Sequence, residues 1–270
     1  MQPNRPLRIT LVNMPFGCLN MPSLALTQIE SVLKRTFGKR ISIRTLYLNM
    51  DFARHVDDIG MYSYPLSGSG FMRGIGDWFF RQAAFPDAED NTGEYLDRFY
   101  FDRSAETARV KEFVLEKRPG IGNLFDRWIA KYRLAEDDIV GFTALFSQTV
   151  ASLAMAGLIK KQNPHVTTVI GGAACEGVMG RAIADLAPQV DHVFSGPALV
   201  SFPRFIRHKL AGKARALPRI DGVFSRAAGA PIAMTGGHLD INSAVRLDYS
   251  GFLASLNRAF HGKKVRPVGR

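Results

Sequence analysis

Short alternating runs and helix-spaced runs take turns along much of this chain. Arg8-Ile9-Thr10-Leu11-Val12-Asn13 is a β-rich run closed by Met14-Pro15-Phe16-Gly17. Ser23 is placed to cap a helix whose apolar positions are Leu24, Leu26, Ile29, Val32 and Leu33, and Gly38 closes it. Residues 41–48 then alternate at period two, as a strand does. The same rhythm returns later: strands over 138–143, 166–170 and 191–196, with helices over 148–161, 176–186 and 200–210. Strands separated by helices of this length predict βαβ units and a parallel sheet of five strands with helices on both faces. Ligands of such sheets sit past the carboxyl ends of the strands. The loops to inspect are therefore 14–22, 143–149, 171–177 and 195–199.

Residues from about 50 to 137 break the rhythm. Tyr62 to Gly70 has loop composition, Gly76 to Phe85 is an aromatic amphipathic stretch, and helical patterns cover 104–116 and 121–132. They predict a helical insertion between the second and third strands. Near the end, 221–226 and 229–234 read as a small hairpin, Leu247-Asp248-Tyr249 opens a short segment, and 261–270 is basic without pattern. The division expected is a domain over 6–215 carrying the insertion, then a hairpin and basic extension over 216–270.

The composition is that of a globular chain, 46% hydrophobic and 22% charged over 270 residues, long enough to bury a core without staples. Two cysteines, Cys18 and Cys175, exclude a disulfide scaffold, a four-Cys zinc site and a self-contained iron–sulfur cluster. No signal-peptide pattern opens the chain and no apolar run approaches a membrane span, so a cytoplasmic, membrane-free protein is expected. Of the net charge of +11, ten units lie between Pro203 and Arg270. A nucleic acid or acidic partner is one reading. No nucleic-acid motif accompanies the charge, and a solvated helix face with a basic tail accounts for it.

The strand-end loops are rich in small residues and poor in titratable ones. Gly171-Gly172-Ala173-Ala174 allows close backbone approach by a bulky ligand, although a tight turn uses the same residues. Thr143, Ser147, Gln148 and Thr149 offer neutral hydrogen-bonding groups. No phosphate-binding glycine fingerprint follows a strand, and no acid–base or nucleophile constellation is visible, so no catalytic residue is named. Cys175 has two readings: a thiol activated at a helix N-terminus, or a small apolar filler.

Several segments together carry a resemblance: Asn13-Met14-Pro15-Phe16-Gly17, Pro22-Ser23-Leu24-Ala25-Leu26, Gly141-Phe142-Thr143, Val150-Ala151-Ser152-Leu153-Ala154, Gly171-Gly172-Ala173-Ala174-Cys175-Glu176-Gly177 with Met179-Gly180, and Ser195-Gly196 with Phe202-Pro203. Over residues 8–256 the chain resembles the N-terminal cobalamin-binding half of cobalamin-dependent radical SAM enzymes, closest to the group that matures ribosomally made peptides. Gly76-Asp77-Trp78-Phe79-Phe80 is similar to that group's helical insertion. The resemblance implies a Rossmann-like (flavodoxin-like) domain whose cofactor is cobalamin. The nucleotide tail would be received by Thr143, Ala144, Leu145, Ser147, Gln148 and Thr149 together with Gly171, Gly172, Ala173, Cys175 and Glu176. Pro15, Phe16, Gly17 and Cys18 would lie under the corrin, and Ser195 and Gly196 would complete the site.

Three departures qualify what is implied. No Asp-x-His-x-x-Gly follows the first strand, and His55, His165, His192, His208, His238 and His261 all lie elsewhere, so cobalamin without histidine ligation is expected. A glutamate-bearing loop of the family is replaced by Gly196-Pro197-Ala198-Leu199, where Pro197 also removes a backbone donor. The Cys-x3-Cys-x2-Cys of the radical SAM half is absent, so this chain alone carries no cluster and no metal-ligating residues. The function implied is the cobalamin-binding module of a split or truncated methyltransferase-type enzyme, with a separate radical SAM subunit and a precursor peptide as partners. The alternatives are a non-catalytic, partner-binding or regulatory domain of the same fold, and an enzyme using another nucleotide cofactor, for which no fingerprint is present.

Overall fold

A computed structural model of the chain describes residues 5–212, 219–226, 236–238, 240 and 245–260. The elements run β1 (Leu7–Asn13), α1 (Leu24–Phe37), β2 (Ile41–Tyr47), then α2 (Leu48–Val56), α3 (Ile59–Ser63), α4 (Gly68–Met72), α5 (Ile75–Phe79), α6 (Arg81–Ala84), α7 (Thr92–Phe99), α8 (Ala105–Lys117) and α9 (Ile121–Tyr132). They continue with β3 (Ile139–Thr143), α10 (Thr149–Gln162), β4 (Thr167–Gly171), α11 (Gly177–Leu186), β5 (His192–Phe194), α12 (Ala198–Leu210), β6 (Val223–Phe224) and α13 (Ser250–Phe260).

The fold is α/β. Its sheet has the order β2-β1-β3-β4-β5-β6, with the first five strands parallel and β6 antiparallel to β5. The chain reverses its direction of travel across the sheet between β1 and β3, the place where open α/β sheets bind ligands. The sequence pattern gives five parallel strands and assigns 221–226 to a separate hairpin. Instead Val223 and Phe224 extend the main sheet, paired with Phe194 and Val193. The other arm, 229–234, lies outside the described residues.

Alternation along the strands builds two faces. Ile9 and Leu11, Ile139, Val169 and Phe194 pack under α1 and α12, against Leu26, Leu33, Phe202, Phe205 and Ile206. Val12, Val140, Phe142, Ile170 and Val193 point the other way, into a larger core with Ala151, Ala154 and Met155 of α10. Both sheet faces are thus covered, as parallel strands require. The Ser23 hydroxyl caps α1 as expected, accepting from the Leu26 N–H at 3.4 Å, and Gly38 closes the helix at φ 51°.

The insertion α2–α9 packs on the α10 side. Phe16, from the loop after β1, is fully buried there with its ring 5.3 Å from Phe52, 5.6 Å from Tyr62 and 5.6 Å from Phe80. Residues 62–70 have loop composition but fold as short helical turns. The Ser67 hydroxyl accepts from the Gly70 N–H at 3.3 Å and starts α4. The segment after Leu247 is the helix α13. Its Phe252, Leu256 and Phe260 recur every four residues and are buried, with Phe252 edge-on to Tyr47 at 5.5 Å. The helix lies along β2, which forms the end of the sheet order, so a strand edge gains a neighbour.

Candidate functional site

The carboxyl ends of β1, β3, β4 and β5 surround a groove of about 480 Å³, a volume ordinary for a ligand pocket. The parallel register sets Leu11 beside Gly141 and Gly141 beside Val169 in one row of the floor. The middle position of that row has no side chain. A Cβ built on Gly141 would sit 3.1 Å from both the Leu11 Cδ2 and the Val169 Cγ2, so the two apolar neighbours lean in over the glycine. Leu24, Ala25 and Ile29 of α1 form one wall; Ala198 and Phe202 of α12 form the other.

Each loop named from sequence reaches this groove in part. After β1, Gly17 and Cys18 line it. Pro15 is buried, and Phe16 turns away into the insertion core at φ 61°. After β3, Thr143, Leu145 and Gln148 line the groove. Ala144 is buried and its N–H donates to the Gly171 carbonyl at 2.8 Å. The Ser147 hydroxyl faces the Pro65 carbonyl at 3.4 Å, and Thr149 begins α10. After β4, Gly171, Gly172 and Ala173 line it, while Cys175 is buried and Glu176 is exposed ahead of α11. After β5, Gly196 lines it. Ser195 is buried, its Oγ accepting from the Gly177 N–H at 2.9 Å.

These loops are fixed to one another. The Gln148 amide bridges the loops after β3 and β1. The Ser152 hydroxyl lies 2.8 Å from both the Thr143 and the Gln148 carbonyls. The Tyr62 hydroxyl donates to the Gly17 carbonyl at 2.6 Å, and burial pushes its pKa well above the usual tyrosine value. Gly172 holds φ 134°, and a Cβ there would fall 2.5 Å from the Ala144 carbonyl oxygen. The Gly-Gly step therefore has a turn-making role beside its place at the groove.

Among the described residues the groove lining contains no Asp, Glu, Lys, Arg or His. Its polar groups are the Thr143 and Ser23 hydroxyls, the Asn13 and Gln148 amides, the Cys18 thiol and backbone. That set can hold a neutral or largely apolar ligand; it offers no acid–base pair. Cys175 is not an activated thiol: burial pushes it up to about 12, the reverse of the shift its place before α11 would give an exposed group. It fills space in the core. His192 lies outside the groove, in β5, against Phe205 at 5.0 Å. Among the described residues no group of three His, Cys, Asp or Glu could hold a metal ion, and no helix is long and apolar enough to cross a membrane.

Residue-type reasoning did not single out the floor or the α1 wall. The signal was present: period-two alternation puts Leu11, Gly141 and Val169 on one face, with glycine at the middle of a β-rich run. The fold and groove together define an α/β protein with a groove at the carboxyl edge of its parallel strands whose described lining is uncharged. No protein-family model and no curated protein matches the chain.

Proposed function

We propose that the groove binds cobalamin, and that the chain is the cofactor-binding module of a cobalamin-dependent radical SAM enzyme of methyltransferase type acting on peptides. One observation carries the reading. Four loops whose residues resemble those of Rossmann-like cobalamin domains converge on one groove, whose floor is the apolar row of Leu11, Gly141 and Val169.

The residues present fit the group. An apolar floor of Leu11, Gly141 and Val169 suits the flat base of a nucleotide tail lying over it. The Thr143 hydroxyl and the backbone of Gly171, Gly172 and Gly196 line the groove and would pair with the tail's polar atoms. Gly17 and Cys18 would face the corrin. Among the described residues no histidine lines the groove, and this reading has the cofactor held without a histidine on cobalt. Bound cobalamin supplies a methyl group for transfer. This chain's part is to bury the tail, exclude water from it and present the corrin at the open rim.

That rim carries exposed Met21, Leu24, Leu145, Phe146, Val178 and Met179, an apolar surface that supports a protein partner. A separate radical SAM subunit, with its peptide substrate, is the partner this reading expects. Both cysteines are free thiols, which supports placement in the cytoplasm. Titration with hydroxocobalamin, followed by the visible spectrum, tests the assignment. Saturable spectral change is expected. No binding at high micromolar cofactor overturns it and leaves the partner-binding reading of the same rim.

A further inference from the structure

Two side-chain amides meet in the lining of the groove. Asn13 is 5% exposed and Gln148 is 3% exposed, and both residues line it. A carbonyl can only accept, so the Gln148 atom 2.8 Å from the Met14 carbonyl is Nε2. The same amino group meets Asn13 at 3.0 Å, so the Asn13 atom there is Oδ1. Two amide atoms are left over. Among the described residues Asn13 Nδ2 donates to no group and Gln148 Oε1 accepts from none, so the second bond that two amides can exchange is not made. Neither atom is among the polar atoms sealed inside the protein, and each keeps surface in the groove that its residue lines. Gly17 keeps that surface uncovered. A Cβ built on it would lie 2.7 Å from Asn13 Oδ1 and 2.8 Å from Gln148 Nε2, so a side chain at this position would crowd the pair.

One donor and one acceptor left over by an amide pair match a third amide. The carbonyl of a carboxamide accepts from Asn13 Nδ2, and its amino group donates to Gln148 Oε1. A carboxylate has no donor for Gln148 Oε1 and sets a charge against it, and no cation in the described lining offsets that charge. The pair therefore separates an amide from the corresponding acid. We propose that Asn13 and Gln148 bind a primary carboxamide of the ligand in the groove and select it over the carboxylate. This rests on the cobalamin reading: the corrin bears several primary carboxamide arms and lies beside Gly17 and Cys18, and the pair takes one of these arms. The residues that tie the loops after β1 and β3 together then also read the ligand those loops enclose.

Titration of the full chain with hydroxocobalamin and with its monocarboxylic acids, each having one corrin carboxamide hydrolysed to a carboxylate, decides it. Binding is followed by the visible spectrum. One isomer alone should bind about tenfold or more weakly than the parent, because a charged group then meets an unmatched acceptor, while the others stay within about threefold. In Asn13→Leu, which removes the donor at similar volume, the parent should bind more weakly and the deficit of that one isomer should shrink, with the other isomers unchanged relative to the parent. The comparison of isomers on the wild-type chain stands whether or not this variant folds. Acids that all bind like the parent, or that are all weakened alike, overturn the carboxamide pair and leave the cobalamin reading in place. No binding of hydroxocobalamin itself overturns both.

Discussion

The Gln148 side chain crosses from the turn after β3 to the loop after β1, where its Nε2 donates to Asn13 Oδ1 at 3.0 Å and to the Met14 carbonyl at 2.8 Å. Both side chains are buried, so water does not substitute for the contact. One amide thus latches two of the four loops around the groove. Gln148→Ala removes the donor to the buried Asn13 Oδ1 and leaves the Met14 carbonyl with the Gly17 N–H at 3.2 Å, at a cost of about 1–3 kcal/mol in unfolding free energy. Gln148→Glu should cost at least as much, because a carboxylate then faces those acceptors. Denaturant titration reads the cost, and hydroxocobalamin binding should weaken in both variants. Wild-type stability in Gln148→Ala would show that the latch holds nothing.

Gly141 separates the requirements of the fold from those of the groove. A methyl group there meets only the ends of the Leu11 and Val169 side chains, at 3.1 Å, and these shift easily. Gly141→Ala should therefore fold with a change of about 1 kcal/mol or less. Gly141→Leu projects into the groove and should weaken cobalamin binding by about tenfold or more while the far-UV spectrum stays native. Gly172 is the contrasting case. Its φ of 134° and the 2.5 Å approach to the Ala144 oxygen make Gly172→Ala a folding defect of about 2 kcal/mol or more, read in the thermal melt. Equal cofactor affinity in Gly141→Leu and wild type would remove the groove from the proposed site.

What the sequence discloses follows from how local each signal is. The β1, α1, β2 and β3–α12 elements carry their own periodicity, and at α1 Ser23 and Gly38 do in the structure what their types predict. The sixth strand is two residues long, and its partner β5 is far back in the chain; neither length nor alternation could assign it to the sheet. The short turns α3 and α4 are stabilised by packing around Tyr62 and Tyr64, which composition does not reveal. Phe16 sits in a loop whose neighbours Gly17 and Cys18 line the groove, yet its ring is held by aromatic residues contributed by distant helices. Loop membership was legible; the direction of that side chain was not.

The two thiols should differ sharply in reactivity. Cys18 is exposed, with its Sγ 3.1 Å from Asn20 Oδ1. Cys175 is buried and its thiol is pushed up to about 12. Iodoacetamide on the folded chain should modify Cys18 and spare Cys175, and both should react in denaturant. Peptide mass mapping distinguishes the sites. Rapid modification of Cys175 under native conditions would restore the activated-thiol reading.

Asp77 ties the insertion to the groove, because its Oδ1 accepts from the Val150 N–H at 3.0 Å at the start of α10. Burial raises its pKa from the ordinary 3.8, against the lowering pull of the Val150 and Thr149 amides. The folded chain therefore keeps this proton to a higher pH than the unfolded chain does. Its contribution is fullest below the ordinary pKa and is lost as pH rises through the raised one. Asp77→Asn keeps an acceptor and removes the ionisation cost, so at neutral pH it should be as stable as wild type or more so. Asp77→Ala loses the cap and should cost about 0.5–2 kcal/mol. Urea titrations at pH 7 separate the two, and an Asn variant as weak as the Ala variant would mean the charge itself is required.

His192 should make the protein acid-sensitive in a defined window. Burial lowers its pKa from 6.5 to about 4, helped by Lys209 and Lys160 and opposed by Asp191. Its ring stands 5.0 Å from Phe205, and its Nδ1 is buried without a partner. Below pH 6.5 the unfolded chain takes up a proton that the folded chain refuses until about pH 4. The stability this residue contributes is therefore complete above pH 6.5 and lost as pH falls towards 4, at up to about 1.4 kcal/mol per pH unit. His192→Phe removes the titrating group from a site already lined by an aromatic ring. Urea titrations of both proteins at pH 7 and pH 5 check this: the loss between the two pH values should be smaller in the variant by about 2 kcal/mol at most. An identical loss in the two proteins would place the acid sensitivity in other groups.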